Sequence, residues 1–275
     1  MSTIKIANLQ VKVFPEKQKG IDQLSRLLDL QELRKVDLVT LPEMFLCPYS
    51  KENFPIYAEE EGGPSWQACS QLAKDHGIYL SAGSLPEKDE HGHVYNTAYV
   101  FDRQGRQIAK HRKVHLFDIN VSGGQSFKES DTLTPGDRIE TFETEFCRMG
   151  LCVCYDFRFP EIARLFVQEG AKVILVPAAF NMTTGPHWET MFRQRALDNQ
   201  VYAIGTAPAR DPESSYTSWG HSIVAGPWGD VVCQMDEREG IQFSEIDLDT
   251  VDRIRGELPL LQHRRTDLYE MKKLY

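Results

Sequence analysis

The chain reads as an α/β protein with mixed sheets. Two observations point there. Short runs rich in Val and Ile alternate with helical patterns along most of the length, and two neighbouring runs are joined by the tight turn Asp102-Arg103-Gln104-Gly105. The alternation favours parallel strands with crossover helices, whereas the turn demands an antiparallel hairpin, so both pairings belong in the same fold.

Taken in order, Ile4 to Val11 is expected as a strand, Ile21 to Leu33 as a helix and Val36 to Leu41 as a second strand, giving a βαβ beginning. A helix over Trp66 to His76 leads into a strand from Ile78 to Ser84. Val94 to Phe101 and Arg106 to Lys110 then form the hairpin. Met149 to Tyr155 is expected as a buried strand, followed by a helix at Pro160 to Gln168, a strand at Lys172 to Pro177, a helix at Trp188 to Asn199 and a strand at Val201 to Thr206. Further strands run to Ile246. A helix near Thr250 to Glu257 precedes an extended tail, from about residue 259 to Tyr275, whose default state is disorder.

With 275 residues, 41% hydrophobic and 26% charged, and no Ser/Gly/Pro-rich tract, one domain over 1–275 is the simplest organisation, large enough to bury a deep pocket. Acidic and basic residues are interspersed at a net charge of −9, so no basic face suits nucleic acid. The N-terminal residues lack a cationic stretch followed by an apolar run, and no later run reaches the roughly 18 apolar residues of a membrane span. Six cysteines without C-x-x-C spacing suit a reducing compartment, and a cytoplasmic protein without a membrane partner is expected. The histidines show no paired ligand spacing such as H-E-x-x-H, and His91-Gly92-His93 reads as a polar loop, so neither metal nor cofactor is expected.

Three positions invite chemistry. Arg148 to Asp156 reads as a strand ending at Cys154, just before a helix opened by Phe159-Pro160-Glu161. A thiol there would feel helix-terminal N–H dipoles, which lower its pKa and can bind an oxyanion. Cys152 shares its orientation and is the rival nucleophile, two residues deeper. Leu38 to Glu43 places a carboxylate directly after an apolar strand, where partial burial suits it to proton transfer, although a capping or ion-paired Glu would look the same. Lys110-His111-Arg112-Lys113 is a basic cluster which, taken alone, is equally a solvated face. Together the three supply a thiol nucleophile, an acid/base and a fixed cation for a tetrahedral oxyanion.

The order Pro42-Glu43, Lys110 to Phe117 and Cys154-Tyr155-Asp156-Phe157-Arg158-Phe159-Pro160-Glu161 resembles the nitrilase superfamily of carbon–nitrogen hydrolases over nearly the whole chain. The resemblance implies a four-layer αββα sandwich and a Glu–Lys–Cys triad of Glu43, Lys113 and Cys154. It also implies that Glu129 is a second carboxylate positioning Lys113 and the substrate nitrogen. Finer segments, among them Cys47-Pro48-Tyr49, Phe180 to Trp188 and Arg264 to Tyr269, resemble the omega-amidase branch. That branch implies a small-molecule substrate, a dicarboxylate monoamide such as alpha-ketoglutaramate or alpha-ketosuccinamate, and assembly as a homodimer or higher homo-oligomer. Neighbouring branches act on deaminated glutathione or N-carbamoyl compounds. A catalytically silent binding protein is the reading from another class.

For a substrate carboxylate, Arg158 is the first candidate, because a guanidinium fork can hold two oxygens. A structural pair with Glu161 or Asp156 is its alternative role. The resemblance adds Phe180 and Thr184 as pocket residues and Tyr49 and Tyr155 as walls, with core packing the alternative for the aromatic ones.

Overall fold

The computed structural model describes residues 2–214 and 216–275. In chain order the elements are β1 (Thr3–Gln10), α1 (Lys17–Leu28), β2 (Leu38–Thr40), α2 (Asn53–Tyr57), α3 (Pro64–His76), β3 (Tyr79–Lys88), β4 (Val94–Phe101) and β5 (Gln107–Arg112). A small hairpin of β6 (Asp118–Asn120) and β7 (Ser126–Lys128) follows. Then come β8 (Thr141–Glu143), β9 (Arg148–Leu151), α4 (Pro160–Gln168), β10 (Val173–Pro177), α5 (Trp188–Asn199), β11 (Tyr202–Thr206), β12 (Ile223–Ala225), β13 (Val231–Gln234), β14 (Gly240–Asp247) and α6 (Leu248–Glu257).

Two six-stranded sheets share one plan. In the first, ordered β14-β1-β2-β3-β4-β5, the strands β1, β2 and β3 are parallel and the flanking pairings antiparallel. In the second, ordered β13-β12-β11-β10-β9-β8, the parallel trio is β11, β10 and β9. Alternation along the strands fixes the layers. Ile4, Ile6, Leu38, Ala98 and Val100 point from the first sheet into the core shared with Met149, Leu151, Leu175, Ala203 and Ile223 of the second. The intervening residues Ala7, Leu9, Val39, Leu80 and Phe101 pack outward against Leu24 and Leu28 of α1 and Cys69 and Ala73 of α3. On the far side, Gly150 and Gly205 leave room for Phe166 of α4 and Phe192 of α5, respectively. Strands covered on both faces are nearly continuous in apolar residues, which is why they are readable as short Val/Ile runs. The result is the expected four-layer αββα sandwich.

A buried polar row crosses the inter-sheet core. Thr40 Oγ1 donates to Asn8 Oδ1 at 3.2 Å and lies 2.6 Å from Thr206 Oγ1, and the Asn8 amide donates to the Gly205 carbonyl. Gln10 accepts from the Ser222 amide and hydroxyl. Buried polar groups are costly unless paired, so these bonds favour one alignment of the two sheets.

Three boundaries differ from the sequence expectation. α1 starts at Lys17, just after Pro15-Glu16, and ends at Leu28; the apolar pattern up to Leu33 continues only as a separate 3-10 turn, Leu33–Lys35. β9 ends at Leu151, and Cys154 begins a 3-10 turn, Cys154–Arg158, because its φ of 49° cannot continue an extended strand. The tail beyond α6 has no regular element but docks, with Lys273 paired to Glu169 and the Tyr275 hydroxyl bonded to the backbone of Ile139. Among the described residues no helix is long and apolar enough to cross a membrane.

Candidate active site

Glu43 and Cys154 each lie three residues beyond the carboxyl end of a parallel strand, β2 in one sheet and β9 in the other. In open α/β sheets this end is where ligands gather. Both turns are unusual in backbone. Met44, next to Glu43, has φ 54°, and Cys154 itself has φ 49°; such values in non-glycine residues cost energy and cluster at functional sites. The Glu43 turn is buttressed by β3, where Gly83 at φ 58° brings its Cα so close that an added Cβ would lie 2.0 Å from the Pro42 carbonyl. The Ser84 hydroxyl accepts the Met44 amide at 3.1 Å.

Lys113, which continues the first sheet just past β5, has 0% exposure and sits between two carboxylates of equal burial. Its Nζ donates to Glu43 Oε1 and Glu129 Oε1, each at 3.0 Å. Burial alone would lower the lysine pKa, but Glu129, Glu43 and the nearby Cys154 outweigh it and hold the ammonium charged. Glu129 follows β7. Burial raises its pKa, opposed by Lys113 and reinforced by Glu43, while the Tyr49 hydroxyl and the Phe117 amide donate to it at 2.5 and 2.6 Å. Glu43 Oε1 also accepts from Asn96 Nδ2 at 2.7 Å. Its Oε2 is buried without a hydrogen-bond partner among the described residues.

Cys154 is 5% exposed and close enough to Glu43 and Lys113 to feel both. Its pKa corrects the sequence expectation. Burial, then Glu43, push the thiol well above the usual value, and Lys113 together with a backbone bond at Ala179 offsets only part of this. Cys152 is fully buried, with its amide bonded to Leu175 O and its thiol likewise pushed up by burial.

Around this centre Arg158 stands free of ion pairs among the described residues, and the suggested pairings with Glu161 or Asp156 are not formed. Its guanidinium carbon lies 4.7 Å over the Phe180 ring, Nη1 is 3.3 Å from His187 Nδ1, and buried Nη2 has no partner among the described residues. Desolvation lowers its pKa against the pull of Cys154, Tyr155 and Tyr216. Phe180 packs edge-on to Trp188, and the Thr184 hydroxyl is already bonded to Asn181 Oδ1 at 3.2 Å. Tyr155 is half-buried, edge-on to Phe117 and Phe159.

Tyr49 is placed differently from a plain wall residue, since its hydroxyl is committed to Glu129 and its ring lies 4.4 Å from that of Tyr216. A cavity of about 450 Å³, including its open mouth, reaches Glu43 past Tyr49, Tyr216, Cys47 and Asp211. Asn96, Tyr216 and Asp156 are the contributors that sequence reading missed as site residues. Asn96 and Tyr216 carry no motif, whereas Asp156 lies inside the Cys154 motif, where the sequence suggests it only as a partner for Arg158. Among the described residues no group of three His, Cys, Asp or Glu side chains is arranged to hold a metal ion.

A buried Glu–Lys–Glu–Cys cluster between two mixed sheets of an αββα sandwich defines a class, and comparison with known proteins identifies it. The Carbon-nitrogen hydrolase family model matches residues 5–256, and the chain belongs to that family. Among similar proteins, the omega-amidase NIT2 of Homo sapiens is 45% identical over 276 residues, covering 99% of this chain and 100% of that protein. The Xenopus tropicalis omega-amidase NIT2 is 44% identical over 274 residues, covering 99% of each. The crystal structure of Saccharomyces cerevisiae Nit3, a member of branch 10 of the nitrilase superfamily, superposes with a TM-score of 0.88 at 38% identity, covering 96% of this chain and 97% of that one.

Proposed function

We propose that the chain is an amidase of the omega-amidase type, releasing ammonia from the terminal amide of a small dicarboxylate monoamide such as alpha-ketoglutaramate. Support for the class comes from family membership and from the relatives named omega-amidase over the full chain. The observation that carries the chemistry is Lys113 Nζ at 3.0 Å from both Glu43 and Glu129, beside the buried Cys154 thiol.

In this reading Cys154 rests as a thiol, consistent with its raised pKa, and Glu43 takes the proton as sulfur attacks the amide carbon. Lys113 and the Tyr155 backbone N–H hold the resulting oxyanion. Collapse breaks the carbon–nitrogen bond, and Glu43 returns the proton to the departing nitrogen, which leaves as ammonia. Water, deprotonated by Glu43, then attacks the thioester; the acid leaves and the thiol regains its proton. One carboxyl group serves as base and acid in turn, and no other reactant is needed. Glu129, tied to Tyr49 and the Phe117 amide, orients Lys113.

In this reading Arg158, with its unpartnered Nη2, takes the substrate carboxylate, Phe180 lies beneath the guanidinium, and Thr184 and Tyr155 serve as walls, on a side of the centre separate from the cavity that reaches Glu43. Arg158→Lys loses the planar fork and should raise KM for an anionic amide about tenfold while sparing a neutral amide; equal effects on both would return Arg158 to a structural role. One hydrolase domain over 1–275, six free cysteines suited to the cytoplasm, and a homodimer complete the reading. An ammonia-release panel of alpha-ketoglutaramate, succinamate, glutamine, a carbamoyl amino acid and a nitrile tests it. Preference for the first compound is expected, and preference for the carbamoyl compound or the nitrile would move the chain to another branch.

A further inference from the structure

Cys154 and Lys113 come from different sheets, so something must hold them in one frame. Lys113 is flanked along the chain by His111 and His115, and both imidazoles meet a single carboxylate belonging to the Cys154 turn. Asp156 Oδ2 accepts from His111 Nε2 at 2.8 Å, and Asp156 Oδ1 accepts from His115 Nδ1 at 2.9 Å and from the His115 amide at 2.8 Å. The same carboxylate reaches back around the nucleophile. Oδ2 accepts the Val153 amide at 3.1 Å, while the Asp156 amide donates to the Val153 carbonyl at 3.0 Å. Cys154 is enclosed by this two-way clasp, and it is the residue held at φ 49°. The His115 ring is further fixed by stacking on Phe159, with centroids 3.7 Å apart and planes within 12°.

We propose that Asp156 is a positioning residue, whose carboxylate ties the His111-Arg112-Lys113-Val114-His115 segment to the Cys154 turn and so sets the thiol and the ammonium at reacting distance. The inference rests on the roles given above to Cys154 and Lys113. Asp156 touches neither the thiol nor the lysine head, so its effect passes through the segments it grips. Its state fits the task. Burial works against the charge, but the bonds from His111 and His115 and the Val153 amide hold the carboxyl below the usual range, keeping it an acceptor at neutral pH. Since a carboxylate only accepts, both imidazoles donate, and His115 carries its proton on Nδ1.

The test uses three variants of the full chain, assayed with alpha-ketoglutaramate and labelled by iodoacetamide with peptide mapping. Asp156→Asn puts an amide NH2 where two donors converge. His115→Phe keeps the stack on Phe159 but deletes the Nδ1 donor, and His115→Asn restores a donor at that place. A displacement of about 1 Å can cost about 100-fold, so Asp156→Asn should lose about that much in kcat and His115→Phe about tenfold, with KM within about threefold of wild type and His115→Asn recovering most of the loss. Loosening the clasp should also speed labelling of Cys154 while the buried Cys69 and Cys152 stay unlabelled.

The inference is overturned if His115→Phe keeps wild-type kcat, if His115→Asn is as poor as His115→Phe, or if Cys152 and Cys69 label together with Cys154, the pattern of general loosening. Should Asp156→Asn fail to fold, the His115 pair decides. A wild-type protein that releases no ammonia from any amide defeats the proposed function instead, and labelling alone then judges Asp156.

Discussion

A lysine without solvent contact is paired with two buried carboxylates, and the cysteine beside them responds to the cluster. Glu43 pushes the Cys154 thiol up and Lys113 pulls it down. Glu43→Gln removes the raising charge and leaves the lowering one, so the thiolate should form at lower pH. We therefore expect Cys154 in Glu43→Gln to be alkylated faster than wild type at pH 7 while amide turnover drops by about 100-fold or more, since the base is gone. Slower alkylation would mean that Glu43 does not face the thiol. Glu43 and Cys154 stand out in the sequence because each follows an apolar strand, Lys113 because it sits in a basic cluster before an apolar turn, and Glu129 only through the resemblance to the family. Asn96 does not, because its meeting with Glu43 joins β4 to the β2 exit through space. The thiol's direction of shift also escaped the sequence: helix-end dipoles were foreseeable, but the depth of burial and the facing carboxylate belong to tertiary structure.

At the scale of elements, the two strand exits carry the site, and β3 holds one of them in place. Gly83 is the point of closest approach, with φ 58° and no room for a Cβ beside the Pro42 carbonyl. Gly83→Ala should cost about 1–3 kcal/mol in urea unfolding and depress kcat by displacing Glu43, whereas unchanged stability and turnover would remove this buttress from the account. Element types and order are largely legible, since strands buried on both faces stand out as Val/Ile runs and Pro160 marks the first turn of α4. Boundaries are less so. The strand leading to Cys154 reads as extended through Tyr155, yet it stops at Leu151, because the left-handed turn at Cys154 itself is set by its surroundings rather than by a glycine.

For the whole molecule, the alignment of the sheets matters most, since neither sheet alone contains the site. The pairing of Asn8, Thr40 and Thr206 across the core, and the grip of Asp156 on the Lys113 segment, have no periodic signature in sequence. Acid should attack this arrangement. In Asp156 and Glu87 burial raises the pKa, but bonds from His111 and His115 in one, and from Arg112, Lys110 and Thr97 in the other, win and hold it below the unfolded value. The unfolded state therefore binds more protons, and the stability these groups add is present above about pH 4.5 and lost as pH falls through their lowered folded-state values. Thermal midpoints should fall steadily from about pH 5 to pH 3; a flat or rising profile would contradict the ionised assignment. Ammonia release from alpha-ketoglutaramate by wild type, Cys152→Ala and Cys154→Ala decides which thiol is the nucleophile. Turnover is expected in the first two and a loss of about 10⁴-fold or more in the third. Turnover retained in Cys154→Ala, or lost in a folded Cys152→Ala while Cys154→Ala remains active, would contradict the assignment of Cys154.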